Sequence, residues 1–309
     1  MLNKIVIIGD GRVGSTLAYT LFLKSNYQLS IIDLDSKKTI ADLLDMQHGQ
    51  IISDSKIKYS DYKACKDADI IVITASIRLN HVGSRTELLE GNLKLLKSIL
   101  EQIKPYLNNY SKIILISNPV DTLTYFTYKY LNIEANRVIG SGTYLDSLRF
   151  QYYLAEALNV SLKSISAYVV GEHGDSEVPI FSSVKIGGVY LQTYLDANKI
   201  TLNKEDLTVK TIKGGYLVAN DKGYTNYAVS IAVFKIIGAI LTDSNEIFPV
   251  TTYFTPKKVF LSLPVTLNNT GISSLVGISC NDEEIKKVND SIEILLKHQE
   301  IADNFLKND

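Results

Sequence analysis

The stretch VIIGDGRVGSTLA, residues 6–18, constrains this chain more than any other. An apolar, β-branched run ends at Ile8, glycines follow at Gly9, Gly11 and Gly14, and a helical pattern starts at once. A strand, a glycine-rich turn and a helix in that order open a parallel β-α-β unit. In such a turn Gly9 allows the sharp bend, Gly11 lets backbone approach a pyrophosphate, and Gly14 lets the helix pack on the strand. The helix N-terminus then attracts the anion. Three spaced glycines alone are weak evidence, but the next strand-like run ends at Asp33, about twenty residues on, where a ribose-binding acid is expected. A carboxylate there accepts from both ribose hydroxyls and repels a 2′-phosphate, so the expected cofactor is NAD rather than NADP. Asp10 adds a negative charge near the phosphates, which Arg12 is expected to offset; neither is expected to be a ligand.

The alternation continues beyond this unit. Strand-like runs at 5–8, 29–32, 70–73 and 113–116 are separated by helical-period segments such as 13–23 and 88–103. After Gly142 the character changes to a helix at 145–158, a β-rich run at 166–170, a polar insert at 196–209, an apolar helix and a strand-like run at 258–263. The expected fold is α/β: a Rossmann doubly wound parallel sheet, followed by an α+β catalytic domain. The expected boundary lies near 140–143, giving an NAD-binding domain over 1–142 and a substrate domain over 143–309. No linker separates them, so they should pack tightly around a shared cleft.

Bulk properties exclude several function classes. With 46% hydrophobic residues and a formal net charge of -1, the 309-residue chain reads as globular and lacks the basic stripe that tracks nucleic-acid phosphates. The longest apolar stretch, 228–241, is short for a bilayer span and contains Lys235, so no membrane partner is expected. A strand-like run within a few residues of Met1 leaves no room for a signal sequence, which predicts a cytoplasmic location. Cys65 and Cys280 have no pairing pattern and read as packed thiols, with no metal site expected.

Two later segments carry chemistry. In SGTYLDSLRF, Asp146 and Arg149 are three apart on a helical pattern and share a face. In VVGEHGDSE, His173 follows a β-rich run at what should be a strand end facing a cleft. Alone, the first pair reads as a helix salt bridge and the histidine as a packed group. Beside an NAD site they say more: an acid orienting the imidazole makes it a proton donor near neutral pH, and an arginine meets a carboxylate through two parallel hydrogen bonds.

GDGRVGS, the acidic end of SIIDLD, DMQHG, SNPVD, SGTYLDSLRF, GEHGDSEVP and KGYTNYA resemble, in order and spacing, the L-lactate dehydrogenase and malate dehydrogenase family over essentially the whole chain. The resemblance implies His173 as catalytic acid/base, Asp146 as its orienting carboxylate and Arg149 as the substrate-carboxylate anchor. It further implies that Asn118 contacts substrate or nicotinamide and that Thr225 lines the substrate pocket.

Residues 75–85, ASIRLNHVGSR, resemble the family's mobile loop, and Arg85 matches the arginine that polarises the ketone. The family's specificity position, six residues before, is Leu79 by ungapped counting; Arg78 then points elsewhere. A register slip of one residue would bring Arg78 into the pocket and favour oxaloacetate. The usual Lys-Pro-Gly is replaced by Asn80, His81 and Val82, with Gly83 one place later. SIRL also resembles the NIKL of L-2-hydroxyisocaproate dehydrogenases, which handle branched side chains. Tyr224 stands where the family usually has alanine beside the pocket threonine. Gln151 and Ser166 occupy the positions where enzymes activated by fructose 1,6-bisphosphate carry Arg and His, so no such activation is expected. Relatives are dimers or tetramers, which implies a homodimer or homotetramer; the helix bearing DLLDMQHG matches one that packs between subunits, with His48 structural.

The sequence therefore reads as an NAD-dependent L-2-hydroxy acid dehydrogenase, with pyruvate and branched-chain 2-oxo acids both live as substrates. Malate dehydrogenase is the alternative. An NAD-dependent glycosidase would need a cysteine where Ser117 stands, and a catalytically silent NAD-binding protein would have no need of His173, Asp146, Arg149 and Arg85 together.

Overall fold

The structure is a computed structural model that describes residues 2–24, 26–77 and 85–307, without the side chains of Arg85 and Thr86. Arg78, Leu79 and the segment through Ser84 lie outside the described residues.

The first half runs β1 (Asn3–Ile8), α1 (Arg12–Lys24), β2 (Tyr27–Ile32), α2 (Ser36–His48), β3 (Lys56–Tyr59), β4 (Ile70–Ile73), α3 (Arg85–Ile103), β5 (Lys112–Leu115), α4 (Val120–Leu131) and β6 (Val138–Gly140). These six strands are parallel in the order β3-β2-β1-β4-β5-β6, so the strand order reverses between β1 and β4. That reversal opens a crevice at the carboxyl ends of the strands. The inner strands β4, β5 and β6 and the end of β1 are buried on both faces, as a parallel sheet between helices requires, while the edge strand β3 is largely exposed. Successive side chains alternate faces: Ile5, Ile7, Ile70 and Val72 join one core with Leu17 and Leu21 of α1, while Val6, Ile8, Ile71 and Ile73 join the other with Leu93 of α3 and Phe126 of α4. Each such buried side chain contributes about 1.5–3 kcal/mol.

The second half runs α5 (Tyr144–Leu158), β7 (Ile165–Ser166), β8 (Val169–Val170), β9 (Val178–Pro179), β10 (Lys185–Ile186), β11 (Val189–Tyr190), α6 (Leu191–Asn198), α7 (Lys204–Lys222), α8 (Tyr227–Leu241), β12 (Glu246–Phe254), β13 (Val259–Asn268), β14 (Gly271–Leu275) and α9 (Asp282–Lys307). Three features depart from the sequence reading. The sheet does not stop at β6: β12, β13 and β14 continue it antiparallel to nine strands, joined where Thr251 pairs with Gly140. The run at 166–170 is two strands, β7 pairing with β10 and β8 with β9. The polar insert is largely helical, because Asn203 caps α7 by accepting from the Asp206 N–H at 3.0 Å. Cys65 is buried, and burial pushes its thiol up to about 12. Among the described residues no helix is long and apolar enough to cross a membrane.

Candidate active site

At the strand reversal a cleft of about 780 Å³ is lined by Gly9, Gly11, Gly14, Asp33, Thr74 and Tyr224, among others. Gly9 adopts φ 108°, and a Cβ there would lie 2.6 Å from Thr74 Oγ1. A Cβ on Gly14 would lie 1.8 Å from the Gly9 carbonyl oxygen, so this glycine is what lets α1 start against β1. At Gly11 a Cβ would meet nothing within 4 Å, which leaves that face of the turn open to a ligand. Asp33 accepts from the Asp10 N–H at 2.6 Å and the Asp35 N–H at 2.9 Å, one on each oxygen, leaving lone pairs for ribose hydroxyls. A dinucleotide fits this cradle.

The charge beside the turn is arranged differently from the sequence expectation. Asp10 is buried and its partner is Lys38 of α2, with Nζ 3.0 Å from Oδ2; Lys38 also pairs with Asp42. Arg12 instead stacks over the Tyr224 ring at 3.8 Å. Asp10 lies within reach of the start of α2, whereas Arg12, which opens α1, lies over an aromatic face. Burial raises the Asp10 carboxyl even against the Lys38 charge.

A second cavity, of about 370 Å³, shares Val13 and Thr225 with the first and is also lined by Asn118, Asp146, Arg149 and His173. Asp146 accepts from Arg149 Nη1 at 2.5 Å on Oδ1 and contacts His173 Nδ1 at 2.6 Å on Oδ2. Helical i,i+3 spacing puts the first pair on one face of α5, and the turn after β8 delivers the imidazole to the other oxygen. The bland reading of a helix salt bridge is thus literally present, with the histidine added to it. Burial raises the Asp146 carboxyl, but His173 and Arg149 outweigh it and hold it below its ordinary range. Burial lowers His173, and Asp146 more than compensates, so the imidazole keeps its proton above its usual pH.

The sequence reading missed several supporting residues. Asp121, the last residue of SNPVD and buried, accepts the His173 backbone N–H at 2.8 Å and the Thr251 hydroxyl at 2.6 Å. Its place in a quoted motif was the available signal. Asn92 of α3 accepts from the Ile77 N–H at 2.8 Å and donates to the Asn118 carbonyl at 2.7 Å, tying the exit of β4 to the cis Asn118–Pro119 turn. Gly214 and Gly215 of α7 face Arg149: a Cβ on Gly214 would lie 2.8 Å from Arg149 Cδ. Glu177 lines the same cavity, and no spacing rule pointed to it.

The structure therefore gathers His173, Asp146, Arg149, Asn118 and Thr225 around one cavity, and Gly9, Gly11, Gly14 and Asp33 around its neighbour. Tyr224 lines the larger cleft rather than the smaller cavity. Leu79 and Arg78 lie outside the described residues; Arg85 opens α3, and its side chain is likewise outside them. Asp146, His173 and Glu177 offer ligand atoms within 4.8 Å of one another, but both Asp146 oxygens are already engaged, one by Arg149 and one by His173, so the group reads as acid–base machinery.

Residues 3–140 match the family described as lactate/malate dehydrogenase, NAD binding domain, and residues 143–306 its alpha/beta C-terminal domain. An L-lactate dehydrogenase of Clostridium perfringens is 37% identical over 305 residues, 96% of each chain. A lactate dehydrogenase from a Medee basin deep-sea metagenome library superposes with a TM-score of 0.93 at 30% identity, covering 98% of this chain and 100% of that one. The malate dehydrogenase of Cryptosporidium parvum superposes with a TM-score of 0.92 at 31% identity and the same coverage.

Proposed function

Since the chain belongs to the lactate/malate dehydrogenase family and is an NAD-dependent oxidoreductase acting on a CH–OH group, we propose that it interconverts a 2-oxo monocarboxylic acid and the L-2-hydroxy acid. The observation that carries this reading is the Arg149–Asp146–His173 row in a cavity whose other described walls are mostly apolar, including Ile116, Leu145, Ile212 and Val229. Besides the His173 imidazole, Arg149 is the one basic side chain among the described residues of that cavity, enough for one substrate carboxylate. The L configuration follows the naming of the relatives.

In this reading residues 1–142 bind the dinucleotide and residues 143–309 supply the acid–base group. Arg149 fixes the substrate carboxylate through paired hydrogen bonds, which orients the 2-carbon toward the cleft shared with Val13 and Thr225. Bound NAD supplies or accepts the hydride. His173 donates its Nε2 proton to the carbonyl oxygen during reduction and recovers it from the hydroxyl during oxidation, while Asp146 fixes the tautomer through Nδ1. Asn118 reaches the boundary between substrate and nicotinamide. Arg85 supplies positive charge to the reacting oxygen.

The substrate is tested by NADH oxidation with pyruvate, 2-oxoisocaproate, phenylpyruvate and oxaloacetate, comparing kcat/KM. Pyruvate or a branched acid should lead, as an apolar Leu79 at the family's specificity position implies. If oxaloacetate leads, the chain is a malate dehydrogenase with Arg78 at the specificity position; the likeness to the Cryptosporidium enzyme is what supports that alternative, beside a comparable likeness to a lactate dehydrogenase. Fructose 1,6-bisphosphate should not raise the rate, since the Gln151 amide is uncharged and donates to the Ala167 carbonyl at 2.9 Å. Cytoplasmic location and a homodimer or homotetramer complete the proposal.

A further inference from the structure

Glu177 is 5% exposed, and its Oε1 has no hydrogen-bond partner among the described residues. A carboxyl oxygen of Glu177 nevertheless lies within 4.8 Å of both the Asp146 carboxyl and the His173 ring. Two carboxylates so close in a site withdrawn from water do not both stay ionised. Asp146 already has Arg149 on one oxygen and His173 on the other, so its charge is the one retained. The proton between them belongs to Glu177.

We propose that Glu177 is a positioning residue: an un-ionised carboxylic acid that donates to Asp146, steadies the Asp146–His173–Arg149 row, and on ionising weakens the hold of Arg149 on the substrate carboxylate. The inference rests on the proposed reading of Arg149 as that anchor. Burial first, and the Asp146 charge second, hold the Glu177 carboxyl well above its ordinary range, against the pull of Arg149.

The surroundings agree from every side. On α5, Asp146 and Arg149 face Glu177; on its own segment, Glu172, His173 and Asp175 are near, with Asp175 paired to Lys213 of α7 at 3.4 Å. Behind it lies an outer cavity of about 720 Å³, whose charged lining besides Glu177 is Asp175, with Lys204 and Glu205 of α7 and Glu283, Glu284, Lys287 and Asp290 of α9. Anions outnumber cations there, so nothing on that side favours a second negative charge at Glu177. Glu177 lines both this outer cavity and the substrate cavity. Its proton therefore has a way out that does not pass the substrate.

Ionisation turns a neutral wall into a negative one beside Arg149. A 2-oxo acid is an anion, so its KM rises with pH as Glu177 loses its proton, on top of the rise caused by deprotonation of His173. Glu177→Gln keeps a donor and cannot ionise. Its KM profile should show one ionisation where the wild type shows two. One pH unit above the lost ionisation, its KM should lie about tenfold below that of the wild type. Glu177→Met fills the space without donating, and should also lower kcat.

Infrared difference spectra of wild type minus Glu177→Gln, recorded on the full chain at neutral pH without substrate, give an independent readout. The carbonyl stretch of an un-ionised carboxylic acid should appear in the difference. Its absence, or superimposable KM profiles of wild type and Glu177→Gln, would overturn the proposal. Equal kcat in the Gln and Met variants would reduce Glu177 to a space-filler and overturn it too. If the wild type reduces no 2-oxo acid at all, the function reading fails while the infrared test of Glu177 stands.

Discussion

The Asp121 carboxylate, at the start of α4, accepts the backbone N–H of His173 at 2.8 Å, so the segment that presents the imidazole is held by a residue from the dinucleotide-binding half. Its other oxygen takes the Thr251 hydroxyl of β12. One buried carboxyl thus joins three pieces of the molecule.

Asp121→Ala leaves two buried donors without an acceptor and should cost about 2–4 kcal/mol of stability. Thermal or urea unfolding measures that, and a fall in kcat should accompany it as the His173 segment loosens. In the wild type, burial pushes the Asp121 carboxyl up to about 6. A carboxyl raised on folding binds more protons in the native state than unfolded, so its stabilising contribution is full below about pH 4 and is lost as pH rises through about 6. Asp121→Asn should abolish that component of the pH dependence of Tm; an unchanged slope between pH 4 and 7 would refute it.

Asp146→Asn removes the charge that holds the His173 proton. The imidazole then loses its proton at lower pH, and the alkaline limb of 2-oxo acid reduction should move to lower pH. With the tautomer no longer fixed, kcat should fall on the order of 10²- to 10⁴-fold. Initial rates across pH 5–9 measure both effects, and an unshifted limb would mean that Asp146 is not the controlling charge.

Arg149→Lys keeps a positive charge but loses the forked geometry that matches a carboxylate. KM for the 2-oxo acid should rise about 10- to 100-fold, while the Kd for NADH, whose cleft does not include Arg149, stays near that of the wild type. Loss of NADH binding in parallel would point to a general collapse instead.

Gly214→Ala tests whether α7 shapes the seat of Arg149. The added Cβ would lie 2.8 Å from Arg149 Cδ, and the guanidinium is pinned by Asp146, so the side chain has to shift. A KM increase of about threefold to tenfold is expected, roughly 0.7–1.4 kcal/mol of lost binding. A KM equal to the wild-type value would show that Arg149 tolerates the displacement.

Local pattern and residue type carried the parts of the reading that depend on chain neighbours. The turn at Gly9 to Gly14, the parallel strands β1, β2, β4 and β5 and the Asp146–Arg149 pair on α5 all follow from spacings within a few residues. Long-range partnerships were not legible. Nothing in the residues around 10 says that Lys38 rather than Arg12 reaches Asp10, because that depends on where α2 settles against the turn. The antiparallel continuation by β12 to β14 is set by which sheet edge is free, a property of the assembled molecule. Glu177 looks like one more surface acid in GEHGDSEVP until the fold buries it beside Asp146.

The single pairing of Gly140 with Thr251, where the parallel strands give way to antiparallel ones, has a consequence for how the molecule comes apart. A Cβ on Gly140 would strike the Thr251 side chain at 2.6 Å, so the join is close-fitted, and Thr251 also bonds the aspartate that steadies His173. Loosening that stitch strips the edge of β6 and releases the histidine segment in the same event. Heat or denaturant should therefore extinguish turnover and melt both halves in one cooperative transition, with no surviving half-molecule that still holds a proton donor ready.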